Sequence, residues 1–133
     1  MALELTQAQV DEMIAHAQAE HPNECCGLLA GRGDRVEVLL RGRNIDRSPY
    51  TYRLDPGDQL RLFKDIDARG LDLVGIYHSH IQSPAYPSRT DIARALYPDV
   101  AYVIVSLQDE RTPEVRAFRI RDGAVVEEAL AIR

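Results

Sequence analysis

One stretch restricts this chain more than any other. The apolar run Leu71 to Tyr77 leads into His78-Ser79-His80, and beyond a proline-containing loop Ser88-Arg89-Thr90-Asp91 opens a helical pattern. A run so short and apolar reads as a buried strand that ends at the first histidine. Side chains two apart in an extended chain point the same way, so His78 and His80 project together from the strand end. Asp91 then falls in the first turn of the following helix. Two imidazoles and a carboxylate make a ligand set suited to zinc, with a fourth position open to water and ligand distances of roughly 2.0–2.2 Å. That pattern points to a catalytic metal site and not a structural one. A plainer reading applies to each residue alone: the histidines face solvent, Ser88 is only an N-cap, and Asp91 only complements the helix dipole. The combination at a strand-to-helix junction favours the metal.

The rest of the chain supplies a frame. Thr6-Gln7-Ala8-Gln9 resembles a capping box, and Val10, Met13, Ile14 and Ala17 recur at helical spacing. An amphipathic helix over 6–19, stopped by His21-Pro22, is predicted. His16 reads as lying off that stripe and His21 at its end, so both are expected on the surface. Glu24 heads the run Cys25 to Ala30; the turn Gly31 to Asp34 and the segment Arg35 to Leu40 complete a hairpin. Tyr50 to Leu54 is expected as a short strand. Asp55-Pro56 signals a helix start, with Leu60, Phe63 and Ile66 inward and Gly70 at the end. The helix opening at Ser88 is predicted to run to Tyr97, before Pro98. Ala101 to Leu107, apolar on both faces, reads as a central strand. Glu114 to Arg121, the turn Asp122-Gly123 and Ala124 to Ile132 read as a closing hairpin. These elements predict an α/β protein: a single mixed β-sheet flanked by helices, one domain over 1–133.

Composition excludes several classes. With 133 residues, 45% of them hydrophobic and 28% charged, the chain can bury a real core and disorder is not expected. A net charge of −5 argues against nucleic acid as a partner. No apolar run approaches a membrane span and the N-terminus lacks the pattern of a secretory signal, so no membrane partner and a cytoplasmic location are expected. Cys25 and Cys26 are adjacent and point to opposite faces of a strand, which disfavours a disulfide or a shared metal. They read as small packing residues in a reduced compartment, with lining of the site beside Glu24 as the alternative.

His-Ser-His, seven residues, Ser, two residues, Asp resembles the signature of the JAMM (MPN+) metalloproteases, and His78, Ser79, His80, Ser88 and Asp91 match it without a gap. Glu24 matches the family's upstream glutamate. The similarity extends to Asn44, to Tyr52-Arg53-Leu54-Asp55-Pro56 and to the strand Tyr102 to Leu107, and so covers nearly the whole chain. The resemblance implies a cytidine-deaminase-like fold and Zn2+ held by His78, His80 and Asp91. It also implies Glu24 as a general base that contacts the metal's water instead of the metal, and the Ser88 hydroxyl as oxyanion donor. Zinc lowers the pKa of bound water from 15.7 towards roughly 7, and a base that is not a ligand must carry the proton to the leaving amine. Losing one oxyanion donor typically costs about 2.7–4 kcal/mol of barrier. Ser79 points away from the histidines on an extended strand and is expected to pack or to form a supporting bond.

With no visible insertion, the chain is most similar to short bacterial members of that family. That implies removal of an amino acid such as cysteine, or of a C-terminal extension, from the Gly-Gly tail of a ubiquitin-like sulfur-carrier protein, and a place in cysteine biosynthesis. Ile81 stands where such members often carry Pro. The same resemblance admits a deubiquitinase-like isopeptidase acting on other ubiquitin-like conjugates, or a non-catalytic MPN-type scaffold, against which the full ligand set argues. A zinc deaminase would need a Pro-Cys-x-x-Cys ligand pair, which Cys25-Cys26 does not supply. The carrier, the scissile bond and the oligomeric state, a homodimer included, are left open by the sequence.

Overall fold

A computed structural model describes residues 2–133. The order of elements is β1 (Ala2–Leu5), α1 (Gln7–Glu20), β2 (Cys26–Arg32), β3 (Arg35–Gly42), α2 (Pro56–Ala68), β4 (Asp72–His80), α3 (Arg89–Arg94), β5 (Ala101–Ser106), β6 (Glu114–Arg121) and β7 (Ala124–Ile132). The strands lie side by side as β1-β3-β2-β4-β5-β6-β7, with β4–β5 parallel and both hairpins antiparallel, so the sheet is mixed as expected. Strand β1 was not foreseen. It pairs with β7 from Ala2 opposite Ala129 to Leu5 opposite Ile132, and touches β3 at Glu4 opposite Arg35. Four residues carry too little alternation to announce a strand, and the partner that defines this one lies at the far end of the chain.

Helix α1 starts where the Thr6 hydroxyl accepts from the Gln9 N–H at 3.1 Å while the Gln9 side chain accepts from the Thr6 N–H at 2.8 Å. This reciprocal cap satisfies two N–H groups that the helix itself cannot. Val10, Met13 and Ala17 share a core with Leu29, Val36, Tyr77, Val103 and Val105, so α1 packs on one face of the sheet. His16 joins that core and does not lie on the surface, because position 16 is one turn from Met13 on the same face. Its Nδ1 sits 2.7 Å from the Tyr77 hydroxyl. Burial, helped by the charge of Arg41, pushes His16 down to about 4. It is therefore neutral at pH 7, and its 3.8 Å approach to Glu20 is not an ion pair. His21 is exposed, as expected.

Helix α2 covers the other face. Asp55 accepts from the Asp58 N–H at 3.0 Å with Pro56 at the first helical position, and Leu62 and Ile66 pack on Leu28, Ala30 and Leu40. Leu60, expected inward, is exposed; the buried stripe runs through Leu62 instead. Gly70 closes the segment at φ 67°, in the left-handed region that glycine enters without strain. Tyr50 to Leu54 forms no strand beyond one bridge, Leu54 to Asn44. Side chains take its backbone groups: Asn44 Oδ1 accepts from the Arg53 N–H, and Ser48 Oγ from the Tyr50 N–H, each at 3.0 Å. Such local bonds compete with a ladder. Helix α3 stops at Arg94 and not at Tyr97, because Ala95 is extended and the Tyr97 N–H donates to the Tyr102 hydroxyl at 3.0 Å.

Both cysteines are buried and free, and burial pushes the Cys25 thiol up to about 12 and Cys26 up as well. They pack, and neither is a reactive thiolate. Among the described residues no helix is long and apolar enough to cross a membrane.

Candidate metal centre

Strand β4 ends on His80, and a parallel neighbour can be reached only by a crossover. The chain crosses through residues 81–88 and α3 to β5, which brings Asp91 back over the end of the strand. The alternation on β4 sends Tyr77 towards α1, while Ile76 packs on the α2 side, the side His78 and His80 share. Their Nε2 atoms lie 3.2 Å apart, and Asp91 Oδ2 lies 3.1 Å from the first and 3.0 Å from the second. All three side chains are buried. Ser88 caps α3: its Oγ accepts from the Asp91 N–H at 3.0 Å, and Asp91 Oδ2 accepts from the Ser88 N–H at 2.9 Å. The capping box and the convergence on the histidines are thus one arrangement, since the cap fixes where the carboxylate points.

The donor set fits a divalent cation. Tetrahedral ligands about 2.0–2.1 Å from zinc are separated from one another by about 3.3 Å. The three edges here are 3.0, 3.1 and 3.2 Å, close to one triangular face of such a tetrahedron. Ligation also requires an ionised carboxylate and neutral imidazoles. Burial alone raises Asp91, but the bonds from His78, His80 and Ser88 outweigh it and hold the carboxyl well below its ordinary range. Burial keeps His78 below its ordinary value against the pull of Asp91. For His80, burial is outweighed by Asp91 and the Pro84 carbonyl and the net direction is upward, so a cation there competes with protons for the ring.

The supports differ between the two histidines. His80 Nδ1 lies 2.8 Å from the Pro84 carbonyl oxygen, while His78 Nδ1 is buried without a partner. The Tyr52 ring stacks on His78 with centroids 4.3 Å apart and planes at 22°. Arg94 Nη1 donates to the Tyr52 carbonyl at 3.0 Å and to Asp46 Oδ2 at 3.2 Å. The sequence offers Tyr52 as part of a short strand and of the family resemblance, and gives no sign of Arg94; neither contact has a local spacing that could announce it.

Glu24 precedes β2 by two residues. Cys26 lies opposite His78, so extending the register puts Glu24 across from His80. Three bonds hold the segment: the Glu24 N–H to the Ser48 carbonyl at 2.9 Å, Asn44 Nδ2 to the Glu24 carbonyl at 3.1 Å, and the Cys25 N–H to Ser79 Oγ at 2.8 Å. Ser79 thereby ties Glu24's neighbour to the strand that carries the histidines. The Glu24 carboxyl is buried, with Oε1 unpartnered. Burial pushes it up to about 8, with His80 opposing and Asp91 and Asp46 adding to the rise.

The fold and this cluster define a class: an α/β protein with three side chains placed to hold a metal ion where a parallel strand pair meets the helix of its crossover. The sequence matches the family described as prokaryotic homologs of the JAB domain over residues 6–121. The chain belongs to that family and is a hydrolase of peptide or isopeptide bonds. It is similar to the CysO-cysteine peptidase of Mycobacterium tuberculosis, 46% identical over 125 residues that span 92% of this chain and 86% of the relative. It is also similar to a probable TtuB-protein conjugate cleaving protease of Thermus thermophilus, 39% identical over 127 residues, 95% of this chain and 81% of the relative. Among solved structures, a Desulfitobacterium hafniense protein superposes with a TM-score of 0.89 at 40% identity, covering 98% of this chain and 92% of the other. A JAB1/MPN domain protein from Archaeoglobus fulgidus, TM-score 0.59 and 21% identity over 98% and 99% of the two chains, shares the fold.

Proposed function

We propose that this chain is a zinc-dependent peptidase that removes an amino acid such as cysteine, or a C-terminal extension, after the Gly-Gly tail of a ubiquitin-like sulfur-carrier protein. The observation that carries the reading is the convergence of His78, His80 and Asp91 within tetrahedral ligand spacing, with Glu24 held across from His80. The likeness to a CysO-cysteine peptidase and to a probable TtuB-protein conjugate cleaving protease supports the carrier as substrate class.

In this reading His78, His80 and Asp91 would hold the zinc, which would supply Lewis acidity and make a water near it more acidic. Glu24 accepts the proton of the attacking water and delivers it to the leaving amine. Its buried carboxyl binds a proton more readily than an exposed one, and a nearby cation draws its pKa back towards neutrality, where a proton shuttle works best. Ser88 Oγ already accepts from the Asp91 N–H, which leaves its own O–H to donate to the oxyanion that develops on the substrate carbonyl. A cleft of about 420 Å³, whose mainly apolar lining includes Leu28, Leu54, Phe63 and Ile76, meets the site at Tyr52 and would give an extended tail an apolar wall.

The test is intact-mass analysis of a sulfur-carrier protein extended by cysteine after Gly-Gly. The protein with zinc is expected to remove the cysteine, to stop when zinc is chelated, and to resume when zinc is returned. Glu24→Gln is expected to keep zinc and lose turnover; persistent turnover there strips Glu24 of its role. An untouched carrier beside efficient cleavage of a lysine-linked conjugate moves the substrate to the isopeptidase alternative. Tight carrier binding with cleavage of neither substrate by the zinc-loaded protein leaves the scaffold reading.

A further inference from the structure

An imidazole that holds a metal through one nitrogen is ordinarily fixed through the other, by a carboxylate, a carbonyl or water. His80 follows that rule through Pro84. At His78 the Nδ1 is buried and meets no protein donor or acceptor, so no hydrogen bond from the chain keeps its Nε2 aimed at Asp91. The group lying flat against the ring is Tyr52, with centroids at 4.3 Å and an interplanar angle of 22°.

We infer that Tyr52 is the positioning residue of His78, its ring fixing by stacking what a hydrogen bond fixes in His80; this rests on the metal reading proposed above. Tyr52 is itself secured. Its carbonyl accepts from Arg94, the last residue of α3, and the same guanidinium nitrogen donates to Asp46. Asp46 Oδ2 also accepts from the Thr51 hydroxyl at 3.0 Å, so the segment before Tyr52 is tied to the same carboxylate. The ring that orients one ligand is thus anchored through the helix that carries another, Asp91. A flat ring on the imidazole face restricts rotation about the last side-chain torsion without using either nitrogen.

Zinc affinity, measured by competition with a chromogenic chelator, tests this, with the thermal midpoint of the metal-free protein recorded alongside. Tyr52→Leu, which keeps bulk and loses the flat face, is expected to bind zinc about 10- to 100-fold more weakly, the cost usual for losing an outer support. Tyr52→Phe, which keeps the flat face, is expected to restore the parent affinity. A lower midpoint in Tyr52→Leu with zinc affinity unchanged makes the residue merely structural and overturns the inference. Phe as weak as Leu overturns it too, since stacking would not be the feature at work. Where Tyr52→Leu does not fold, Arg94→Gln serves, because Arg94 lies partly in solvent: several-fold weaker zinc is expected, and unchanged affinity is a refutation. A parent protein that binds no zinc sinks the metal reading itself. A parent that binds while every variant binds equally sinks only Tyr52.

Discussion

His16 and His78 are buried to nearly the same degree, 2% and 1% exposed, on opposite faces of one sheet, and their surroundings differ in kind. His16 sits in a closed pair, bonded to the Tyr77 hydroxyl and edge-on to that ring at 72°, among Val10, Met13 and Ala17. Burial keeps it neutral, and nothing around it asks for another atom. His78 faces a second imidazole and a carboxylate. Among the described residues, the buried side-chain polar atoms without a partner are its Nδ1 and Glu24 Oε1, both at this site. Most buried polar atoms are matched in folded proteins, so two unmatched ones in one place mark chemistry and not packing. A histidine's burial therefore separates nothing; the mismatch of the atoms around it does.

The largest effect that should break or sharpen this contrast is at Asp91. Asp91→Asn keeps a side-chain oxygen able to accept from the Ser88 N–H and leaves the Ser88 cap of α3 in place, but removes the carboxylate charge. Zinc content is expected to fall to near zero and turnover to vanish, with the thermal midpoint of the metal-free protein close to the parent's. Metal analysis and the carrier assay read both at once. A variant that kept its zinc and its turnover would make the cluster an ordinary polar junction, no different in kind from the His16 pair.

The next effect falls on the other face. Gly27 lies opposite Tyr77, and a Cβ added there would overlap the Tyr77 ring, which is fully buried and has nowhere to swing. Gly27→Ala is expected to lower stability by about 1–3 kcal/mol, the usual cost of overpacking. Denaturant unfolding of the metal-free protein measures it. Zinc affinity is expected to fall far less than in Asp91→Asn, because the ring that must move faces α1 and not the ligands. Equal losses of zinc in the two variants would mean that the two faces of the strand are not separable.

What could be read in the sequence follows a physical division. The convergence of the two histidines was legible because a strand has a period of two, and the place of Asp91 because a helix start has its own capping grammar, which Thr6-Gln9 also obeys. Glu24 entered through resemblance; no spacing connects it to His80. The misses are places where distant partners decide. Tyr52 finds His78 only once the sheet is built, β1 finds β7 across the whole chain, and α3 stops early because the Tyr102 hydroxyl claims the Tyr97 N–H. His16 and Leu60 are phase errors: His16, expected on the surface, lies on the buried face one turn from Met13, and Leu60, expected inward, is exposed while Leu62 is buried.

The smallest effect is silent at neutral pH. His16 has a folded value of about 4 against an ordinary 6.5, so between those limits the unfolded chain takes up a proton that the folded chain refuses. Stability then rises with pH through that window and is flat above it; read downward, stability is lost as pH falls from 6.5 towards 4. One proton sets an upper limit of about 1.4 kcal/mol per pH unit on the slope. His16→Gln removes this titration and leaves the metal-site groups in place, so the difference between parent and variant isolates it from the opposing upward shift of His80. Denaturant unfolding of the zinc-free proteins at about pH 4.5, 5.5 and 6.5 is expected to show the parent losing ground on the variant at each step down. A difference that stays constant across the window would mean that His16 takes up its proton alike in the folded and unfolded chains, with Glu20, 3.8 Å from its Nε2, as the partner of the charged ring.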